Sequence, residues 1–430
     1  MKRLMGKMMA FAAGTTMVLG MSGCAESGSG TAAAEGSDKV EISIFNSKME
    51  IQDQMLEMAK RYSEEKGVDV EVYYSSDTVA AHLSTRYASD EPYTISMVDA
   101  KDVYSLAGEH ALDLSGEKWV SDTSSAISID GKVYGFPVCV EARGIIYNAD
   151  AIEAITGTAF DPDDYRTLTA FRGLLDTLTA GGMEHPTGIM KEDWSLGAHY
   201  LAEVYEQHED PDAFLSSLNS GSASIAADAK FNSMMDTFDT LMAYNYAAGS
   251  AISAEREITE QKLAEGEIAF MFGGNWDWSV INAYDYSENM GIMPVPQDTT
   301  DDSNTKLVGG GSKYFFIDSS AKTTPEQQQA AKDFLNWLVY DVEGQSFLVE
   351  ECALVPAYSN ITLEVADPLG ASVKAYADKG ALIDNYNYLP DDHFAMLGAS
   401  FQKYLAGQTD RDGFAAEIDS YWQGVTLTAH

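Results

Sequence analysis

VEISIFNSKMEIQDQMLEMAKRYSEEKGVDVEVYY, residues 40–74, changes its apolar spacing twice. Val40, Ile42 and Ile44 alternate with polar residues, the period of a strand. Ile51, Met55, Met58, Ala59 and Tyr62 then recur at helical spacing, and Gly67 marks a stop. Val68, Val70 and Val72 return to alternation. Asp77 is placed to cap a second helix running to about Ala88, and Tyr93 to Val98 reads as a third strand. Strand, helix, strand, helix, strand in this order predicts an α/β fold with a parallel sheet covered by helices.

Beyond this segment, Asp130-Gly131 between Ile127–Ile129 and Val133–Phe136 is a hairpin signal. Helical spacing runs over 168–178, 194–205 and 231–246. A short buried strand over 268–272 ends in Gly273-Gly274. Residues 291–295 and 307–317 read as a strand pair flanking an acidic, Ser/Thr-rich loop. Helices are expected over 326–340, 343–351, 365–377 and 411–422. There is no internal repeat.

At the N-terminus, Lys2, Arg3 and Lys7 precede an apolar stretch, Met8 to Leu19, that is too short to span a bilayer. Small residues then lead to Cys24, as in a lipoprotein signal, so residues 1–23 are read as cleaved and Cys24 as lipidated. Residues 24–38, rich in Ser, Gly, Ala and Glu, cannot bury a core and read as a tether. The expected location is the outer face of the cell membrane, or the periplasm in a host with an outer membrane. The remaining 390 or so residues exceed one growing core, and two domains are expected.

Formal charge is −40. Without the three basic signal residues, 24 Lys and Arg face 67 Asp and Glu, or −43. Such a surface repels phosphate backbones, which argues against nucleic acid. No Cys/His cluster points to a metal, and no cofactor motif occurs. Whether Cys139 and Cys352 pair is left open.

Five stretches stand in order: YGFPVCVEARGIIYN (134–148), AEGEIAFMFGGNWDWS (264–279), GIMPVP (291–296), LVGGGSKYFFI (307–317) and AAKDFLNWLVYDVEGQSFLVEECALVP (330–356). Together they resemble the family 1 extracellular solute-binding proteins, the group that contains maltodextrin-binding protein. The resemblance implies a monomeric two-lobe fold with a multi-strand hinge. It also implies a carbohydrate ligand, read as an oligosaccharide, and an ABC permease as partner. On this reading lobe 1 covers 39–148, lobe 2 covers 149–310, residues 311–360 return to lobe 1, and 361–430 form C-terminal helices closing the lobes.

In open α/β sheets ligands sit beyond the carboxyl ends of strands, so Asn46, Ser47 and Asp99 are candidates. Helix capping or turn formation is the alternative for such residues. The resemblance assigns Glu141 to sugar hydroxyls, and Arg143, two residues on, shares its strand face. The family places a stacking Trp at Trp276, whose flat ring suits the C–H face of a pyranose. Asn275 and Asp277 flank it, and Trp278 is expected in the core. Trp194 is a second candidate platform, and Phe394 belongs to a region, with Tyr386 and Tyr388, where the family supplies another ring. No Ser/His/Asp signature or local acid pair marks an enzyme, although a glycoside hydrolase needs only two carboxylates. A receptor for a polyamine, a peptide or a metal chelate, and a structural surface lipoprotein, are the other readings.

Overall fold

β1 (Glu41–Asn46), β2 (Asp69–Tyr74) and β3 (Ile95–Asp99) pair in parallel in the order β2-β1-β3. The β-α-β-α-β reading therefore holds. A computed structural model describes residues 39–75 and 78–427. The signal sequence, Cys24, the tether and Asp77 lie outside the described residues; the helix Val79–Ala88 has Thr78 as its N-cap. Because successive strand residues face opposite sides, Ile42 and Ile44 enter one core and Phe45 another. The first face is covered by the helices Gln52–Lys66 and Pro325–Tyr340, where Tyr62 packs edge-on against Phe334 and Trp337. The second face carries Val79–Ala88 and Ala100–His110.

β4 (Ile127–Ile129) and β5 (Lys132–Asn148) form the expected hairpin, with Asp130 and Gly131 both at positive φ, 51° and 77°. β5 is 17 residues long and almost wholly buried, which explains its near-continuous apolar sequence. It is the strand that joins the halves of the molecule. Its early residues pair with β9 (Leu307–Ile317), and its later ones pair with β7 (Phe270–Gly274) and β8 (Met290–Met293). β9 in turn runs antiparallel to β3. The main sheet order is β2-β1-β3-β9-β5-β7-β6, where β6 is Thr187–Gly188; β10 (Leu382–Ile383) adds to β9. The β5–β9 register shifts around Cys139, next to Pro137, which has no N–H to give to a ladder. The irregularity falls immediately before Glu141.

One expectation needs correction. Residues 291–295 and 307–317 are not partners: β8 pairs with β5, and β9 with β3, β5 and β10. Both are short apolar runs, and their partners are distant in sequence. The segment 194–201 is a π-helical turn continuing into the α-helix Ala202–Glu206. The helix His393–Leu405, the last but one and absent from the sequence reading, crosses this turn at Gly197 and Gly398. A Cβ on Gly197 would lie 2.6 Å from the carbonyl oxygen of Phe394, so the crossing needs the missing side chain. Cys139 and Cys352 are both free and buried. Among the described residues, no helix is long and apolar enough to cross a membrane.

Candidate functional site

Three strand ends and one helix start converge on a cavity of about 880 Å³. Its size is that of a small-molecule cleft. From the β1 and β3 ends come Lys48, Glu50, Asp99 and Lys101; from the middle strands come Glu141, Arg143, Ser312 and Lys313. The β7 half supplies Trp194, His199, Arg256 and Trp276, and the C-terminal region adds Asn385, Tyr386 and Phe394.

On the first side, charges hold one another. Lys48 Nζ donates to Glu141 Oε1 at 2.7 Å and to Glu50 Oε1 at 2.6 Å, and its side chain is only 5% exposed. Burial disfavours an ionised Glu141, but the Lys48 ammonium more than offsets it, helped by Ser312 and Lys313, and the carboxyl lies below its ordinary range. Lys48 is shifted up by the same pair: burial opposes its charge, and Glu141 restores it. Lys313 donates to Asp99 Oδ1 at 2.5 Å, because β3–β9 pairing sets these two residues directly opposite. Asp99 begins the helix Ala100–His110, and its N–H is bonded at 3.3 Å by the carboxylate of Asp102.

On the second side, rings are held by a buried ion cluster. Asp277 accepts from the Gly274 N–H at 2.9 Å, which fixes the turn after β7, and from Arg256 Nη2 at 2.5 Å. Arg256 also meets Glu260 at 3.1 Å, and its guanidinium carbon stands 4.7 Å from the Trp194 ring centre, a cation–π distance. Trp194 meets His199 edge-on at 5.2 Å, and His199 meets Trp276 at 4.9 Å. The six-membered ring of Trp276 lies over Gly274, where a Cβ would come within 2.3 Å of Cη2; only glycine admits the indole there. The indole N–H is buried without a hydrogen-bond partner, as are His199 Nδ1 and Glu192 Oε2. Of these, Trp276 and His199 border the cleft and suit an incoming hydroxyl, which donates and accepts at once, while Glu192 Oε2 faces Arg256 at 3.8 Å. Burial, then Arg143 and Arg256, push His199 well below its ordinary value, so it stays neutral.

The family model for bacterial extracellular solute-binding proteins matches residues 57–381. The chain belongs to this family. No curated protein matches this solute-binding protein by sequence. Solved structures similar to it include RafE in complex with raffinose (19% identity, TM-score 0.70, 90% of this chain and 99% of that one). Another is a chitin oligosaccharide binding protein (19%, 0.67, 90% and 98%). A third is a Bacillus licheniformis sugar transporter with stachyose (16%, 0.66, 89% and 99%). At these identities the likeness establishes the fold, that of two-lobe solute-binding proteins.

Of the residues singled out from the sequence of this solute-binding protein, Asp99, Glu141, Arg143, Trp194, Trp276, Asp277 and Phe394 border the cleft. Asn46, Ser47 and Asn275 do not. Asn46 is fully buried and locks its own turn, accepting from Lys48 N and donating to Lys48 O and Gln52. Ser47 has a buried hydroxyl with no hydrogen-bond partner among the described residues and does not line the cavity. Asn275 Oδ1 accepts from Ala142 N at 3.0 Å, tying the β7 turn to β5. Two further readings change. Asp277 has a side chain only 1% exposed and supports the wall instead of offering an acceptor. Arg143, placed on the strand face of Glu141, turns to other partners: it pairs with Glu206 and donates to Asn385 Oδ1 at 2.7 Å, with 6% of its side chain exposed. Trp278 packs against the core and meets Tyr286 edge-on. Lys313, His199 and Arg256 were absent from the sequence reading. Lys313 is identified by strand register, and the other two by helix contacts that no local pattern encodes.

Proposed function

We propose that this protein is a carbohydrate receptor, taking an oligosaccharide between its lobes and delivering it to the membrane subunits of an ABC importer. One observation carries this reading: Trp276 and Trp194 stand on one wall of a cleft whose other wall presents Lys48, Glu141, Asp99 and Lys313. Aromatic faces suit the apolar face of a sugar ring, and fixed polar groups suit its hydroxyls. RafE with raffinose and the stachyose-bound transporter support the sugar class. The five cationic side chains bordering the cleft each hold a carboxylate: Lys48 with Glu141, Lys101 with Asp391, Arg143 with Glu206, Arg256 with Asp277, and Lys313 with Asp99. With every cation held by a protein carboxylate, and Glu50, Glu257 and Glu260 bordering the cleft besides, an anionic ligand is disfavoured, and the cationic alternatives, a polyamine or a basic peptide, are left to the test below. We take the lobes as 39–148 with the 311–360 return, and 149–310, closed by the helices within 361–430. We also take Cys24 as lipidated, which anchors a monomeric receptor on the outer face of the membrane, and we take bound sugar to be released unhydrolysed.

The test is a thermal-shift screen of the full-length chain against raffinose, stachyose, chitooligosaccharides, spermidine and a tripeptide. A ligand at 100 times its dissociation constant should add about 2.7 kcal/mol to stability. A shift with spermidine or the tripeptide, and none with any sugar, would overturn the carbohydrate reading. Hydrolysed sugar in the recovered ligand would overturn the receptor role.

A further inference from the structure

Residues 384–392, DNYNYLPDD, run along one edge of the cleft and touch both halves of the molecule. At the start of the segment, Asn385 accepts from Arg143 at 2.7 Å, and the Tyr386 N–H donates to Glu206 Oε1 at 2.9 Å. The Tyr386 hydroxyl donates to Asp212 at 2.5 Å. Arg143 and Glu206 are buried, with side chains 6% and 3% exposed. At its end the segment meets the helix Ala100–His110 of the first half. There the Tyr388 ring lies 4.7 Å from Tyr104, the two hydroxyls are hydrogen-bonded, and Lys101 Nζ stands 3.3 Å from Asp391. The two rings are half-buried, and the ion pair is exposed, with Lys101 45% and Asp391 94% open to solvent. Glu206 and Asp212 therefore fix the segment to the second half, with Arg143 of the joining strand β5 beneath it, while one half-buried ring pair and one exposed ion pair join it to the first half.

We propose that 384–392 is a strap that travels with the second lobe and latches onto Tyr104 and Lys101 on closure, so that Tyr104 and Tyr388 help set ligand affinity although neither borders the cavity. Apparent affinity scales with the fraction of molecules in the binding-competent form, and a contact made only in the closed form raises that fraction. The contact is of a strength that divides ligand-free molecules between the two forms: an appreciable share is closed, which raises affinity, and the rest is open for entry. The inference rests on the two-lobe fold and not on the identity of the ligand.

Small-angle X-ray scattering of the ligand-free, full-length chain reads the latch directly. Tyr104→Ala and Tyr388→Ala should each shift the closing equilibrium about fivefold toward open, seen as a larger radius of gyration than wild type. Tyr104→Phe and Tyr388→Phe keep the ring and should give a smaller increase, which also covers any alanine variant that fails to fold. Lys101→Glu should enlarge the radius, and adding Asp391→Lys to the same chain should restore it. Equal radii for wild type and all variants overturn the strap, as does a charge swap that fails to restore. Calorimetric titration with raffinose adds a second arm: where raffinose binds, its dissociation constant should rise about fivefold in Tyr104→Ala. No raffinose binding to wild type counts against the sugar reading alone, and the scattering still decides the strap.

Discussion

Where the first half of the molecule meets the cleft, charged side chains are held by opposite charges; where the second half meets it, rings are held by other rings and by one buried guanidinium. Lys48–Glu141 and Lys313–Asp99 follow from strand ends and register. Trp194, His199 and Trp276 follow from a π-helical turn, the helix Arg256–Ala264 and a turn after β7, all braced by Arg256 and Asp277. The charged wall is fixed by one sheet: Lys313 and Asp99 sit opposite each other on adjacent strands, and Lys48, in the turn after β1, reaches across to Glu141 on β5. The aromatic wall depends on a single interior ion cluster joining separate elements, so it should be the more fragile of the two.

Asp277→Ala is the strongest way to break this comparison. It leaves Arg256 without its closest partner and the Gly274 N–H without an acceptor. Removing one partner of a buried pair costs about 3–5 kcal/mol. Urea unfolding should show a loss of that size, together with loss of ligand binding. A loss below about 1 kcal/mol would show that Glu260 and Glu192 suffice to hold Arg256, and the aromatic wall would then be no more fragile than the charged one.

Lys48→Met tests the other wall. It strands Glu141, whose side chain is 15% exposed, and should cost about 2–3 kcal/mol at pH 7, less than the fully buried case. The sign with pH follows from linkage. The folded carboxyl titrates below its ordinary 4.5, so its stabilisation is fully present above that value and is lost as pH falls through the folded value. In the variant burial acts on Glu141 without the ammonium and raises its carboxyl, so the variant binds its proton first: the stability gap between wild type and variant should be widest near pH 7 and narrow as pH falls, starting above 4.5. A gap independent of pH would mean that the cost is lost packing of the lysine stem.

The same contrast explains what could be read from sequence. The first half was legible because its period changes over 40–98 are local, and because strand ends in such a sheet face the ligand. Trp276 was legible because two glycines precede it at the end of a short apolar run. Arg256 sits on an ordinary amphipathic helix, and only the fold brings it within reach of Asp277, 21 positions away. Asn46 and Asn275 misled for the opposite reason: short amides at strand ends bond to backbone as readily as to a ligand, and here they bond to backbone. The π-helical turn and the helix His393–Leu405 were missed or blurred because their apolar residues serve a glycine-mediated crossing with a distant segment.

Trp276→Ala should separate binding from folding. A wholly buried tryptophan truncated to alanine costs about 3–5 kcal/mol. Trp276 is only half-buried against Gly274 and His199, so the ligand-free midpoint should correspond to a loss of about 1–2 kcal/mol while the ligand-induced shift disappears. A retained shift would move the platform to Trp194.

Phe394→Ala is expected to have the smallest effect and to report most directly on ligand length. The ring is 38% exposed at the start of the helix His393–Leu405, on the border of the cleft, where the helix crosses the turn that carries Trp194 and His199. Little of it is packed, so stability should change by less than about 0.5 kcal/mol. A sugar seated only on Trp276 never reaches it, and affinity for a disaccharide should be unchanged. A longer chain that runs to the rim would cover the exposed part of the ring, and losing that contact should weaken binding about three- to tenfold. Comparing a disaccharide with raffinose and stachyose by calorimetry, in wild type and in Phe394→Ala, therefore counts the rings the cleft holds. Equal losses for all three would mean that Phe394 acts through the helix it begins, because a residue that touches only the distal end of a ligand cannot affect one too short to reach it.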